Sequence, residues 1–125
     1  MIEDGAGDVL LIKQVLSQAT FAIKLRVALD GEQALQVLAG PEFKPDLIIL
    51  DLKIPKVPGI ELLERCKPRA PVVVFSSSSN PTEIRKAMEL GVREFVQKPD
   101  DFQEFAKVVM KIVQDWVEPG TNCLA

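Results

Sequence analysis

Histidine is absent from all 125 residues. Any catalytic triad or dyad built on an imidazole base is therefore excluded within this chain. Cysteine is scarce: Cys66 falls in a helical pattern and Cys123 near the end, far apart in sequence. The pair offers neither a disulfide framework nor zinc-ligand spacing, and reads as free thiols in a reducing compartment. No apolar run approaches the length of a membrane span, and the first residues lack a basic-then-apolar signal pattern. The expected compartment is the cytoplasm, with no membrane partner. A net charge of −3 argues against nucleic acid as the main partner. What the chain does have is 47% hydrophobic and 26% charged residues, ordinary for a globular protein. Its length suits one domain with a real core.

Two kinds of segment alternate along it. Short β-branched or apolar runs occupy residues 23–28, 46–50, 71–75 and 94–96, and "LIIL" and "VVVF" suit central strands buried on both faces. Between them lie helical patterns. Residues 8–19 carry Val9, Ile12, Val15, Leu16 and Ala19 on one face. Residues 30–39 carry Ala34, Leu35 and Leu38, with Asp30 as a cap. Leu62, Leu63 and Cys66 mark a helix over 59–66, and Ile84, Ala87 and Met88 another over 81–90, stopped by Gly91. The last, 101–117, has a clean stripe of Phe102, Phe105, Val109, Ile112, Val113 and Trp116, opened by Asp100 or Asp101. Strands separated by helices imply right-handed βαβ units, hence a doubly wound α/β fold with a parallel sheet covered on both faces. The start is awkward, because only Met1 and Ile2 precede Glu3 and Asp4, whereas a strand typically has ~5–6 residues. The first strand is expected to be shortened, with residues that normally precede Met1 missing. Residues 118–125, with Pro119 and Gly120, read as a short tail after a domain spanning 1–117.

In a parallel α/β sheet function gathers at the carboxyl ends of the strands. At those ends the chain sets Glu3 and Asp4, then Asp51, then Ser76, then Lys98. Taken singly, each has an ordinary explanation, since acids cap helices, serines fill loops and lysines solvate. Together on one edge they point to chemistry. Three carboxylates drawn together repel, and a hard cation such as Mg²⁺ relieves the repulsion. A carboxylate beside that cation can attack phosphorus and form an aspartyl phosphate. Phosphoryl transfer asks mainly for positioning and charge neutralisation, which Lys98 and the Ser76 hydroxyl can supply.

The pattern "ED…LDLKIPKVPG…VVVFSS…FVQKP" resembles the receiver domain of bacterial two-component response regulators, from Glu3 to about Trp116. "GDVLLIKQVL", "DGEQAL", "PDLIILDL" and "VQKPDDFQEF" look most like small stand-alone CheY-like receivers, some of which partner bacterial phytochromes. The resemblance implies five parallel strands in the flavodoxin-like order 2-1-3-4-5, with five helices. It implies that Asp51 is the phosphoacceptor, filled in trans by a sensor histidine kinase such as a bacteriophytochrome. Glu3, Asp4 and Asp51 would hold Mg²⁺ (or Mn²⁺), one acid acting through water, with the Lys53 backbone carbonyl completing the set. Ser76 would be the switch hydroxyl, Phe95 the aromatic that follows it, and Lys98 the phosphoryl-facing lysine, with a cis bond to Pro99. Ser77, Ser78 and Pro99 would line the site. An ordinary packing role competes for Phe95, and a flexible loop for "SSSSNP". The fourth helix, whose Arg85, Lys86 and Glu89 otherwise read as a solvated face, would join the output surface.

Two residues depart from the family pattern. Lys53 stands where a shorter polar residue is common, and its ammonium is expected to pair with Glu3, Asp4 or the phosphoryl group and to slow attack by water. Pro58 stands before Gly59 where an acid or amide is usual; it should stiffen the loop and remove one turn bond. The leading expectation is a single-domain response regulator, not an enzyme, whose output is a target protein, a phosphotransfer protein or a homodimer, with no DNA-binding domain. The rival is a receiver-like interaction module that works without phosphorylation. A small hydrolase is disfavoured by the missing histidine and G-x-S-x-G elbow. A flavodoxin-type carrier is disfavoured by "EDGAGD", which would repel an anion.

Overall fold

A computed structural model describes residues 1–19, 23–40, 44–77 and 80–117, and the backbone of 123 and 124. Its elements run α1 (Ala6–Ser17), β1 (Lys24–Leu25), α2 (Gly31–Ala39), β2 (Ile48–Leu50), α3 (Gly59–Cys66), β3 (Val72–Ser76), α4 (Pro81–Glu89), β4 (Glu94–Gln97), α5 (Phe102–Trp116) and β5 (Cys123–Leu124). β2, β3 and β4 pair in parallel in that order.

The awkward start resolves into a single residue of sheet. Ile2 bridges Ala28 on one side and Leu50 on the other, both in parallel. Backbone bonds from Ile2 N–H to the Ile49 carbonyl (2.7 Å) and from Ala28 N–H to the Met1 carbonyl (2.9 Å) fix it there. With Ile2 counted as a strand position, the parallel order runs from the β1–Ala28 segment through Ile2 to β2, β3 and β4, the expected 2-1-3-4-5 when those five are numbered along the chain. The predicted strand over 23–28 shrinks to a two-residue ladder plus the Ala28 bridge, because so short a neighbour offers few backbone partners. β1 also pairs in parallel with β5, which the sequence reading placed in a tail.

Side chains of the central strands alternate between two cores, as a period of two requires. Ile48, Leu50, Val72 and Val74 face Ala34 of α2, Leu62 and Leu63 of α3, and Ala87 of α4. Leu47, Ile49, Val73 and Phe75 face Val9, Ile12 and Leu16 of α1 and Phe105, Val109, Ile112 and Val113 of α5. Burying one such aliphatic side chain is worth about 1.5–3 kcal/mol. Phe75 and Phe105 meet with ring centres 5.1 Å apart and tilted by 56°.

Caps set the helix starts. Asp30 accepts from the Gln33 N–H, Asn80 from Thr82 ahead of Pro81, and Asp101 from Gln103. Gly91 follows α4 at φ +94°, a conformation that favours glycine. Pro58 occupies the N-cap of α3, where a helix gives the residue's own N–H no partner, so its missing donor costs little. The turn bond is made next door, from Gly59 N–H to the Leu52 carbonyl at 3.0 Å.

Candidate functional site

Backbone bonds draw the strand ends into one edge. Asp51 N–H donates to the Ile2 carbonyl (2.9 Å), Glu3 N–H to the Ala28 carbonyl (3.0 Å), and Lys98 N–H to the Ser76 carbonyl (2.8 Å). Glu3, Asp51 and Ser76 are buried at 4%, 7% and 0% exposure. The Lys98 ammonium reaches Glu3 Oε2 at 2.5 Å, Asp8 Oδ2 at 2.8 Å and Asp51 Oδ2 at 2.9 Å. An ammonium has three donors, and these contacts use all of them. The other oxygens of the two buried acids are engaged as well. Gly5 N–H donates to Glu3 Oε1 and Lys53 N–H to Asp51 Oδ1, each at 3.0 Å. Phe75 lies below, its ring centre 5.9 Å from the ammonium.

The electrostatics divide the two buried acids. Burial pushes the Glu3 carboxyl up to about 7, more than its hydrogen bonds to Lys98 and Gly5 offset. Burial acts on Asp51 too, but there the Lys53 N–H and the Lys98 ammonium outweigh it and hold the carboxyl below its ordinary value. Burial would lower Lys98; bonds to Asp8, Glu3 and Asp51 overcome it and hold the ammonium charged. Asp51 is thus an anion at neutral pH, as a nucleophilic carboxylate must be.

One ammonium cannot neutralise so many acids. Glu3, Asp4 and Asp51 each present a carboxylate oxygen, all within 4.8 Å of one another, with Asp4 exposed at the mouth. An all-oxygen anionic set of this size fits a hard divalent cation of the Mg²⁺ or Mn²⁺ type.

The remaining expected residues fall variously. Ser76 is the last residue of β3, inside the strand and not after it, paired with Gln97. Ser77 and Pro99 line an open cavity of about 370 Å³ with Asp8, Lys98, Asp100 and Phe102. Phe95 is half-buried on β4 against the core beneath α2, α3 and α4. Ser78 lies outside the described residues. Two expectations are corrected. The Lys98–Pro99 bond is trans, since the backbone over the described residues contains no cis peptide; trans is the lower-energy isomer, and Lys98 reaches the acids without the alternative. The exposed Lys53 side chain forms no ion pair with Glu3 or Asp4, because Lys98 already occupies the space among the carboxylates. Asp8 was missed altogether: an acid in the first turn of a helix is explained by the helix itself, and its partner lies 90 residues away.

A doubly wound sheet with buried acids gathered round a lysine at its carboxyl edge is the arrangement of a receiver domain. Residues 1–110 match the response regulator receiver domain, and the chain belongs to that family. It is 32% identical to the response regulator Rcp1 of Synechocystis sp. over 131 residues, 97% of this chain and 89% of Rcp1. The Mn²⁺-bound structure of Rcp1 superposes with a TM-score of 0.86, covering 96% of this chain and 94% of that one. The phosphorylated cyanobacterial phytochrome response regulator RcpA superposes at 0.87 with 31% identity, over 96% of this chain and 93% of its own. Among the described residues no helix is long and apolar enough to cross a membrane.

Proposed function

We propose that Asp51 is the phosphoacceptor of a response regulator whose donor is a sensor histidine kinase of the bacteriophytochrome class. The observation that carries this reading is the buried, ionised Asp51 carboxylate held 2.9 Å from the Lys98 ammonium beside two further acids. A carboxylate oxygen of Asp51 attacks phosphorus, an O–P bond forms, and the N–P bond to the donor imidazole breaks, leaving its electron pair on nitrogen. Lys98 then bonds a phosphoryl oxygen, and the Ser76 hydroxyl donates to another. A divalent cation, when bound, neutralises charge on the phosphoryl oxygens; Glu3, Asp4, Asp51 and the Lys53 carbonyl would hold it. Ser76 and Phe95 carry the change to the α4–β4–α5 face, where a downstream protein, a phosphotransfer protein or a second copy docks. The likeness to phytochrome response regulators supports the kinase class.

Incubation with acetyl phosphate and Mg²⁺, followed by intact mass, tests the reading. The native protein should gain one phosphoryl group and Asp51→Asn none. Equal partner affinity for both proteins, with no gain of mass in either, would instead mark a module that works without phosphorylation.

A further inference from the structure

Asp8 has no place in the metal trio, yet its carboxylate lies 2.8 Å from the Lys98 ammonium. It sits in the first turn of α1, where it caps nothing: the helix begins at Gly5 without a side-chain cap. The other two partners of Lys98 are Glu3 and Asp51, and both belong to the trio. A divalent cation drawn to those carboxylates repels the ammonium already bound to them. Lys98 must loosen its hold on Glu3 and Asp51 when the cation enters, and among the described residues the carboxylate partner left to it is Asp8.

We infer that Asp8 is a positioning residue: it retains the Lys98 ammonium at the mouth once a divalent cation claims Glu3 and Asp51, so that Lys98 stays aimed at the incoming phosphoryl group. The placement supports this. Asp8 and Lys98 line the same open cavity with Ser77 and Asp100. The Asp8 side chain is 35% exposed, against 10% for Lys98, 5% for Glu3 and 8% for Asp51, so Asp8 is the most solvent-accessible of the four. Pairing with Asp8 also screens the ammonium from the cation, which favours binding of the cation. The role in phosphoryl transfer rests on the function proposed above; the effect on cation binding does not.

Two measurements separate these ideas. Amine labelling followed by peptide mass analysis reads Lys98 directly. In the native protein Lys98 should stay protected with or without Mg²⁺; in Asp8→Asn it should stay protected in EDTA and become reactive when Mg²⁺ is added. Mg²⁺ affinity by calorimetry should fall by about twofold to fivefold in Asp8→Asn, the range expected of a partly exposed charge pair. Asp8→Glu should recover part of it, and serves as the variant of record where Asp8→Asn folds poorly. In a Lys98→Met background the Asp8→Asn effect should shrink to near nothing, because the residue acts through Lys98. An equal loss in both backgrounds would reduce Asp8 to one more negative charge and overturn the inference, as would unchanged Lys98 labelling. If the native protein binds Mg²⁺ and shows the labelling pattern but gains no phosphoryl mass, the proposed function fails while the retention of Lys98 by Asp8 stands.

Discussion

Lys98 holds three carboxylates at once, two of them almost wholly buried. Removing the ammonium strands Glu3 and Asp51 beside each other in a place that water hardly reaches. Lys98→Met should therefore lower stability in EDTA at neutral pH by about 3 kcal/mol, the usual cost of leaving a buried charge without its partner. Added Mg²⁺ should restore part of the loss, since the cation takes over the neutralising role. Urea titrations with and without Mg²⁺ read both effects, and an unchanged midpoint in EDTA would count against the burial argument. At this scale the sequence was legible where residues sit at strand ends, because a strand end has a definite place in a parallel sheet. Glu3, Asp4, Asp51 and Lys98 were placed on one edge that way, and the structure brings them together there. Asp8 was passed over, and the Lys53 ammonium was wrongly paired with Glu3 or Asp4, for the opposite reason: side-chain reach across the mouth depends on distances that spacing along the chain does not encode.

Helices α3 and α5 show what patterning reveals about elements. Both follow an apolar stripe, α5 also starts at its expected Asp101 cap, and Gly59–Cys66 matches the range expected from sequence. β1 was harder, because a strand needs partners, and those depend on how much sheet its neighbour provides. The start of α3 matters to the site as well as to the fold. A Cβ on Gly59 would come within 2.7 Å of Leu52 Cα and 3.1 Å of the Asp51 carbonyl oxygen. Gly59→Ala should force that backbone apart, costing about 1–3 kcal/mol and weakening Mg²⁺ binding through displacement of Asp51. A Cβ on Gly7, in the first turn of α1, meets nothing within 4 Å. Gly7→Ala should be neutral or stabilising by about 0.5 kcal/mol, since alanine reduces the freedom of the unfolded chain. Thermal melts of the pair check the contrast, and equal destabilisation by both would remove the close-approach explanation.

Over the whole molecule, the two cores favour folding while the acidic edge opposes it in a pH-dependent way. The Glu3 carboxyl rises from its ordinary value of 4.5 to about 7 in the folded protein. Between those values the native state holds a proton that the unfolded chain has released, so stability falls as pH rises. The contribution is fully present below about 4.5 and is lost as pH passes about 7. Asp51 acts in the opposite sense: its lowered value gives stability that is present above the ordinary carboxylate range and lost on acidification. Lys98, raised from an already alkaline value, changes nothing near neutrality. From pH 5.5 to 8 Glu3 therefore sets the slope. Holding one extra proton is worth about 1.4 kcal/mol for each step of one in pH, so metal-free protein should lose about 2 kcal/mol before the slope levels off above 7. A divalent cation held by Glu3, Asp4 and Asp51, as proposed, would replace that proton, so stabilisation by Mg²⁺ should grow over the same range. Urea titrations at both pH values in EDTA and in saturating Mg²⁺ should show a falling stability that the cation flattens or reverses. Glu3→Gln should remove the slope in EDTA. Metal-free protein that is equally stable at both ends would mean that Glu3 is ionised throughout, with Lys98 outweighing its burial.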